Sequence, residues 1–315
     1  MLVDQEQIVA ARIDWGDPVR SGAIMGAKLT SKTAGKRRGT ARLADGTQVL
    51  VDSLPREATE GQSLLLAITR CAIAERGRGK LAQARPAPPG ATERAGPSLF
   101  DALSAGSLPV CRVRPGDGSL DRLGWDELVE QAVSGHVGFT GGSLDVSPTP
   151  AMTVIDVDGM LPPAQLALAA VPALVVTLAR LDIGGNIGID FPTLEEKAQR
   201  HAVDAALAAA LRHWQGERTA MNGFGFVQLV ARLEQPSIAA LYQRHPARAG
   251  AQTALRQAEA IAAPGTILIT ANPALRGEFS SERIAELTRR TGRQICLEWD
   301  PAIALGAPSV QALTP

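Results

Sequence analysis

The sequence predicts a multidomain α+β protein with an N-terminal β-barrel, a central α/β core built on a mixed sheet, and a small C-terminal α/β module. Three observations predict it. Short alternating stretches separated by turn pairs fill residues 8–85, a proline-rich segment follows, and strand-like and helix-like stretches then alternate to the end of the chain. The predicted bounds are 1–85 for the barrel, 86–98 for a linker, 99–240 for the core and 250–306 for the C-terminal module.

The barrel prediction rests on period-two hydrophobic patterns. Residues 40–43 and 48–51 alternate apolar and polar side chains, and the pairs Asp45-Gly46 and Glu60-Gly61 are typical of tight turns between strands. The next segment, residues 85–97, contains four prolines, which favour neither a helix nor a regular strand. This composition predicts a linker.

The central part alternates strands and helices. Helices are predicted over 125–133, over 163–181 with a bend near Pro172, and over 194–214, and strands are predicted over 152–157, 186–191 and 224–233. A strand, helix and strand in succession indicate a crossover onto a parallel or mixed sheet. After a low-order stretch at 242–250, two helices and two strands predict the C-terminal module.

Composition limits the class of protein. The chain has 315 residues, of which 45% are hydrophobic, so it is long enough for two or three domains with a sizeable core. The three cysteines are far apart, which argues against a disulfide framework and against a structural zinc site. We find no signal-peptide pattern and no uninterrupted run of eighteen apolar residues, so we expect a cytoplasmic protein that does not enter the membrane.

Charge is unevenly distributed although the formal net charge is zero. Residues 1–96 contain fifteen Lys and Arg against ten Asp and Glu, whereas residues 116–204 contain four against thirteen. A protein that binds a polyanion at one place and a cation at another would show this separation. Chance clustering of solvated surface charges is the alternative interpretation.

Two aspartates follow buried strands. Asp156 and Asp190 each come after an apolar run, where a carboxylate is costly unless it is paired or binds a metal. If the two strands are neighbours, both carboxylates reach one edge of the sheet, where Mg²⁺ could bridge them and activate water for phosphodiester hydrolysis. Asp158 points to the same face as Asp156 and is a candidate for orienting a metal-bound water. Helix capping or turn formation by these aspartates remains an open alternative.

A basic run in the barrel is the second candidate site. Residues 28–42 contain six cationic side chains and no acidic one, a pattern typical of single-stranded nucleic-acid binding by phosphate neutralisation. A solvated basic loop is the other interpretation, since Trp15 is the only aromatic residue in this region. The candidate RNA-binding residues are Lys28, Lys32, Lys36, Arg37, Arg38 and Arg42.

Several motifs together resemble the ribonuclease E/G family. Residues 124–159 are similar to the family's stretch leading into its first metal aspartate, residues 180–191 to the stretch around the second, and residues 222–229 to a following strand. Residues 60–80 are similar to the end of the family's OB-fold barrel. The resemblance implies an OB-fold-like RNA-binding barrel, a nuclease core and cleavage of single-stranded RNA, with Mg²⁺ held by Asp156 and Asp190 and assisted by Asp158.

The chain departs from the family's pattern at several places. Gly223 stands where the family has an arginine, and the cysteine pair that links subunits through zinc is missing between residues 238 and 250. We therefore expect any oligomer to form without a zinc link. The main hypothesis is a compact magnesium-dependent endoribonuclease, and the alternative is an RNA-binding protein of the same fold that has lost most of its catalytic activity.

Overall fold

A computed structural model describes residues 1–75, 78–113, 116 and 118–313, without the side chains of residues 75 and 78. Within these residues the chain forms a closed five-stranded barrel, a six-stranded sheet and a three-stranded sheet, with helices packed on the two sheets. The expectation of a mixed α+β fold with a closed barrel is confirmed.

The barrel is preceded and accompanied by two small hairpins. The barrel consists of five strands in the order β3-β4-β5-β9-β6, and β6 pairs back onto β3. Its interior is filled by alternating residues such as Leu29, Val49 and Leu66, as the period-two pattern predicts. The strands of this region are β1 Leu2–Asp4, β2 Gln7–Ala10, β3 Ile24–Lys32, β4 Arg38–Leu43, β5 Gln48–Asp52, β6 Ser63–Arg70, β7 Ile73–Glu75, β8 Arg78–Lys80 and β9 Ala82–Pro86.

The first residues of the chain belong to the central core and not to the barrel. Ile8 of the β1–β2 hairpin and Ala11 are both 3% exposed within the main hydrophobic cluster, and the Ala11 amide donates to the carbonyl of Ala179 at 3.4 Å. The barrel itself therefore occupies residues 24–86.

The proline-rich segment lies against the barrel. Ile24 and Arg94 exchange two main-chain hydrogen bonds of 2.9 Å, and the Ala87 amide donates to the carbonyl of Leu65 at 2.8 Å. The segment is thus hydrogen-bonded to the barrel near both of its ends, although its prolines predict no pairing at all. We call residues 86–98 the strap.

The central region is a six-stranded sheet with helices packed on one face. The strand order is β10-β11-β12-β13-β15-β14, in which only β12 and β13 are parallel among the described pairs. The predicted crossover is α4, which links these two strands. The elements are α1 Leu99–Ser104, α2 Ser119–Arg122, α3 Trp125–Ser134, β10 His136–Phe139, β11 Gly142–Pro148, β12 Thr153–Gly159, α4 Pro163–Arg180, β13 Asn186–Asp190, α5 Lys197–Ala210, β14 Gly216–Arg218 and β15 Phe226–Ala231.

Helix α4 covers the buried face of this sheet. It continues through Pro172 and buries six hydrophobic residues, among them Leu166, Leu174 and Leu178, in the main cluster. Among the described residues it is the one helix long and apolar enough to cross a membrane by length and composition alone. Here those apolar residues pack on β10, β11 and β12.

Two helices occupy the stretch for which the sequence predicts low order. They are α6 Ile238–Arg244, capped by the Ser237 hydroxyl, and α7 Pro246–Ala260. The prediction for residues 242–250 is wrong because Pro246 stands at the start of a helix, where its missing N–H costs nothing. Alanines of α7 then pack into a separate cluster with the C-terminal strands.

The C-terminal module is a small sheet flanked by helices. Strand β16 is central, parallel to β17 and antiparallel to β18. The elements are β16 Thr266–Ala271, a 3-10 helix Pro273–Glu278, α8 Ser281–Thr291, β17 Ile295–Trp299 and β18 Ser309–Leu313.

A substitution in α7 tests the packing between that helix and the C-terminal module. Ala is normally favoured over Gly inside a helix by about 1 kcal/mol. At Gly250, however, an added Cβ would overlap the main-chain oxygen of Leu305, and overpacking costs about 1–3 kcal/mol. We expect Gly250→Ala to lower the free energy of unfolding in urea. Gly277→Ala is the control because it meets no atom within 4 Å, and equal stability of the two variants would contradict the close packing.

Candidate active site

Asp156 and Asp190 lie side by side on neighbouring parallel strands. The register of β12 and β13 pairs Ile155 with Ile189 and Asp156 with Asp190. Directly paired residues point to the same face of a sheet, and neighbouring strands are roughly 5 Å apart. The predicted proximity of these two aspartates is therefore confirmed.

Both aspartates point away from the hydrophobic core. Ile155 and Val157 of β12 and Ile189 of β13 are buried, whereas Asp156, Asp190 and Asp158 are exposed. The alternation follows from the pleat of the strands, in which successive side chains take opposite faces. The open face of the sheet thus carries the carboxylates.

A third aspartate extends the pair into a row. Asp145 of β11 pairs directly with Asp156 of β12, so it lies on the same face on the side opposite Asp190. Beyond it, His136 of β10 is paired with Asp145, and its Nδ1 is 3.1 Å from Asp145 Oδ1. We call Asp145, Asp156 and Asp190 the aspartate row.

The charges of the row oppose one another. The pKa of Asp156 is raised, first by partial burial and then by the negative charges of Asp190, Asp158 and Asp145. In the part of the chain that is described, no arginine or lysine forms an ion pair with Asp145, Asp156 or Asp190. The repulsion at Asp156 is therefore not relieved by a protein cation.

Asp158 lies beside the row, at the end of β12. It pairs with Ser143 of β11, and its Oδ1 accepts a hydrogen bond from the Gly159 amide at 2.8 Å. Through this local bond Asp158 helps to form a turn, as the Asp158-Gly159 sequence predicts. The Asp158 residue is nevertheless exposed, and it lies on the same face as Asp156.

The row does not form a complete metal cage. Among the described residues, no three His, Cys, Asp or Glu side chains are grouped closely enough to hold a metal ion. Mg²⁺ usually keeps several water ligands and takes one or two carboxylates plus substrate phosphate oxygens. The donor set of two adjacent carboxylates on an open face fits that mode of binding and does not fit an all-protein site.

A tight turn places an exposed phenylalanine beside the row. Phe226 of β15 pairs with Asp190, and Asn222 Oδ1 accepts hydrogen bonds from the amides of Phe224 and Phe226 at 2.9 and 3.0 Å. Gly225 has a φ of +87°, which the turn requires. Phe224 is held at the tip with 81% of its surface exposed. Phe224 thus stands two residues before Phe226, the residue that pairs with Asp190.

The chain leading into this turn is attached to α5. The Arg218 guanidinium donates to Asp204 Oδ1 at 2.6 Å, and the Met221 amide donates to the same oxygen at 3.1 Å. The hydrogen bond from Arg218 and then that from Met221 hold the pKa of Asp204 below its usual range despite partial burial. These bonds fix the segment that precedes Asn222.

The predicted basic run divides into two groups. Three of its side chains hold the barrel together. Lys32 Nζ donates to the carbonyls of Arg56 and Ala58 at 2.5 and 2.9 Å, Arg37 Nε donates to the carbonyl of Leu54 at 2.8 Å, and Arg38 forms an ion pair with Asp52. These three cations have structural partners.

The other three cations face solvent. Lys28, Lys36 and Arg42 are exposed and make no side-chain hydrogen bond or ion pair within the described residues. Lys28 and Arg42 are directly paired on β3 and β4, so two like charges lie together beside a groove of about 690 Å³. Residues 76 and 77, part of the family-like stretch 60–80, lie outside the described residues.

Comparison with other proteins leaves the resemblance untested. No protein-family model matches this chain, and no curated protein matches it either. The similarity to the ribonuclease E/G family therefore stays a prediction based on the motifs themselves.

The sequence reasoning missed Asp145 and Phe224. Asp145 lies between Leu144 and Val146, which are both buried, so the alternation was a usable signal for an exposed carboxylate in a strand. Its position beside Asp156 depends on the pairing of β11 with β12, which composition does not reveal. For Phe224 the Asn-Gly dipeptide at 222–223 signalled a turn, but not its place beside Asp190.

Removing one charge from the centre of the row is expected to stabilise the metal-free protein. Like charges directly opposite each other in a sheet cost roughly 0.2–1 kcal/mol, or about 1–3 °C in Tm for a chain of this size. Because the pKa of Asp156 is raised, the folded wild type loses stability as the pH rises through that pKa. Asp156→Asn should therefore raise Tm at neutral pH in EDTA, and the gain should vanish below the ordinary value of 3.8.

Scanning calorimetry across this pH range measures the effect. Glu217→Gln is the matched control, since it removes an exposed carboxylate from β14 of the same sheet, outside the row. A Tm for Asp156→Asn below that of the wild type at neutral pH would show that the row is not under repulsion.

Proposed function

We propose that this protein is a magnesium-dependent endoribonuclease that cleaves single-stranded RNA at the aspartate row. The observation that carries the proposal is the direct pairing of Asp156 with Asp190 on the exposed face of a sheet. Two adjacent carboxylates that form no ion pair with a described arginine or lysine suit a hard divalent ion.

Asp156 and Asp190 would hold Mg²⁺, and Asp158 would orient a coordinated water. When bound, the ion would polarise a phosphoryl oxygen and lower the pKa of a coordinated water. Asp145 supports the site from the side opposite Asp190. Its charge helps to raise the pKa of Asp156, so a cation that binds beside Asp156 relieves more repulsion. Phe224 offers a flat apolar surface on which a base next to the reacting phosphate can stack.

The barrel would bind the RNA strand. Its five-stranded closed order supports an OB-fold-like domain, a barrel type that binds oligonucleotides. Lys28, Lys36 and Arg42 are the cations of the basic run that are free to neutralise phosphates. Three separate hydrophobic clusters support a division into a barrel, a nuclease core and a C-terminal module.

A protein that binds RNA without cleaving it is the second candidate. The observation in its favour is Gly223, which stands where the ribonuclease E/G pattern has an arginine. A Cβ added at Gly223 would meet no atom within 4 Å, so the space that an arginine would use is open. A phosphate contact that the family-like motif would provide is therefore missing next to Phe224.

Cleavage of a labelled single-stranded RNA tests the proposal. We expect cleavage with Mg²⁺, none with EDTA, and a loss of at least about 100-fold for Asp156→Asn and Asp190→Asn, because each removes a charged ligand. Asp145→Asn should lose less, since it leaves the Asp156 and Asp190 pair intact. Glu217→Gln should cleave like the wild type. Binding without cleavage in the wild type would instead support the second candidate.

Salt-dependent RNA binding tests the role of the barrel. Each phosphate contact to a single strand contributes about 0.7 to the slope of log K against log salt. The double variant Lys28→Gln, Arg42→Gln should therefore bind more weakly and lower the slope by about 1.4. Arg38→Gln breaks an internal ion pair and should change stability more than the slope. An unchanged slope in the double variant would exclude these two residues from phosphate contact.

A further inference from the structure

A cleft between the barrel and the strap has the size of a small-molecule site. It has a volume of about 520 Å³ and is walled by β6 on one side and by strap residues 88–94 on the other. Arg232, which follows β15 of the central sheet, completes the lining. Ligand sites commonly occupy roughly 300–1,000 Å³ and often lie where domains meet.

The wall that the strap provides is held in place by main-chain hydrogen bonds. The two bonds between Ile24 and Arg94 attach its far end, and the bond from Ala87 to Leu65 attaches its near end. Between them, the Ala91 amide donates to the carbonyl of Pro88 at 3.1 Å. A cleft whose walls are fixed in this way needs little ordering when a ligand binds.

Three arginines line the cleft and no described Asp or Glu does. They are Arg85, Arg94 and Arg232. The side chains of Arg85 and Arg94 are exposed and have no hydrogen-bond or ion-pair partner within the described residues. Arg232 is 3.1 Å from Glu234, but the two side chains are 76% and 41% exposed, so that ion pair contributes little. The cleft is therefore positively charged.

The inner surface of the cleft is apolar. Ile68 is 2% exposed, and Ala67, Pro88 and Ala91 line the cleft beside it. A positive rim above an apolar floor suits a ligand that has an anionic end and a flat, less polar body. Guanidinium groups match phosphate geometry through paired hydrogen bonds.

We propose that this cleft binds a nucleotide, with its phosphate held by Arg85, Arg94 and Arg232 and its nucleoside against the apolar floor. The cleft is separate from the aspartate row. Arg232 follows β15 at the end opposite Phe226, which pairs with Asp190, and six residues of strand span about 20 Å. Nucleotide binding here does not depend on the proposed nuclease activity.

Calorimetric titration of the 315-residue chain with AMP, adenosine and inorganic phosphate tests this site. We expect AMP to bind more tightly than either part alone. The double variant Arg85→Gln, Arg94→Gln and the single variant Arg232→Gln should each weaken AMP binding, the double variant at least tenfold. Arg56→Gln is the matched control, because Arg56 is an exposed arginine of the barrel region outside the cleft. Thermal melts verify that all variants are folded.

Two further measurements identify the natural ligand and test whether its binding is independent of the aspartate row. A hexaribonucleotide that displaces AMP identifies the natural ligand as a nucleotide of an RNA strand, and one that does not displace AMP identifies it as a free nucleotide. Asp156→Asn should bind AMP like the wild type even if it cleaves nothing. AMP binding no tighter than adenosine, or equal binding by the wild type and the double variant, would overturn the proposal.

Discussion

The in-register parallel pairing of β12 and β13 is the constraint on which the central region depends. A shift of one residue would turn Asp156 or Asp190 into the core and expose an isoleucine. Burying Ile155, Val157, Ile187 and Ile189 contributes about 1.5–3 kcal/mol each, whereas opposed like charges cost about 1 kcal/mol or less. Hydrophobic packing therefore decides the register, and the carboxylates are held together against their own repulsion.

The barrel differs from the aspartate row because half of its basic run has partners within the fold. Lys32 and Arg37 use main-chain carbonyls as partners, and Arg38 uses Asp52, so half of a strongly basic run is neutralised or anchored within the fold. The remaining cations, Lys28, Lys36 and Arg42, are on the barrel strands or at their turn and form no ion pair within the described residues. A cluster of positive charge in a sequence therefore overstates the positive surface that a ligand meets.

Much of the fold was predictable because local patterns decide it. The alternation in the barrel and the apolar runs before Asp156 and Asp190 are set by burial on one face of a strand. Features that depend on distant contacts were not predictable. Asp145 joins the row only through the pairing of β11 with β12, Pro246 begins α7 directly after α6 has ended at Arg244, and the strap pairs with Ile24, about 70 residues away along the chain.

The separation of charge bears on how an RNA strand could approach the aspartate row. A phosphodiester is repelled by Asp145, Asp156 and Asp190 at any pH at which they are ionised, so proximity to the row has to come from attraction elsewhere. The basic side chains of the barrel and the arginine cleft can provide that attraction over about one Debye length, roughly 8 Å at physiological salt. That range is shorter than β15, which separates Arg232 of the cleft from Asp190, so the cleft can hold a strand without neutralising the row. A cation bound at the row would then bring a phosphate against these carboxylates, and the proposed metal would serve substrate binding as well as chemistry.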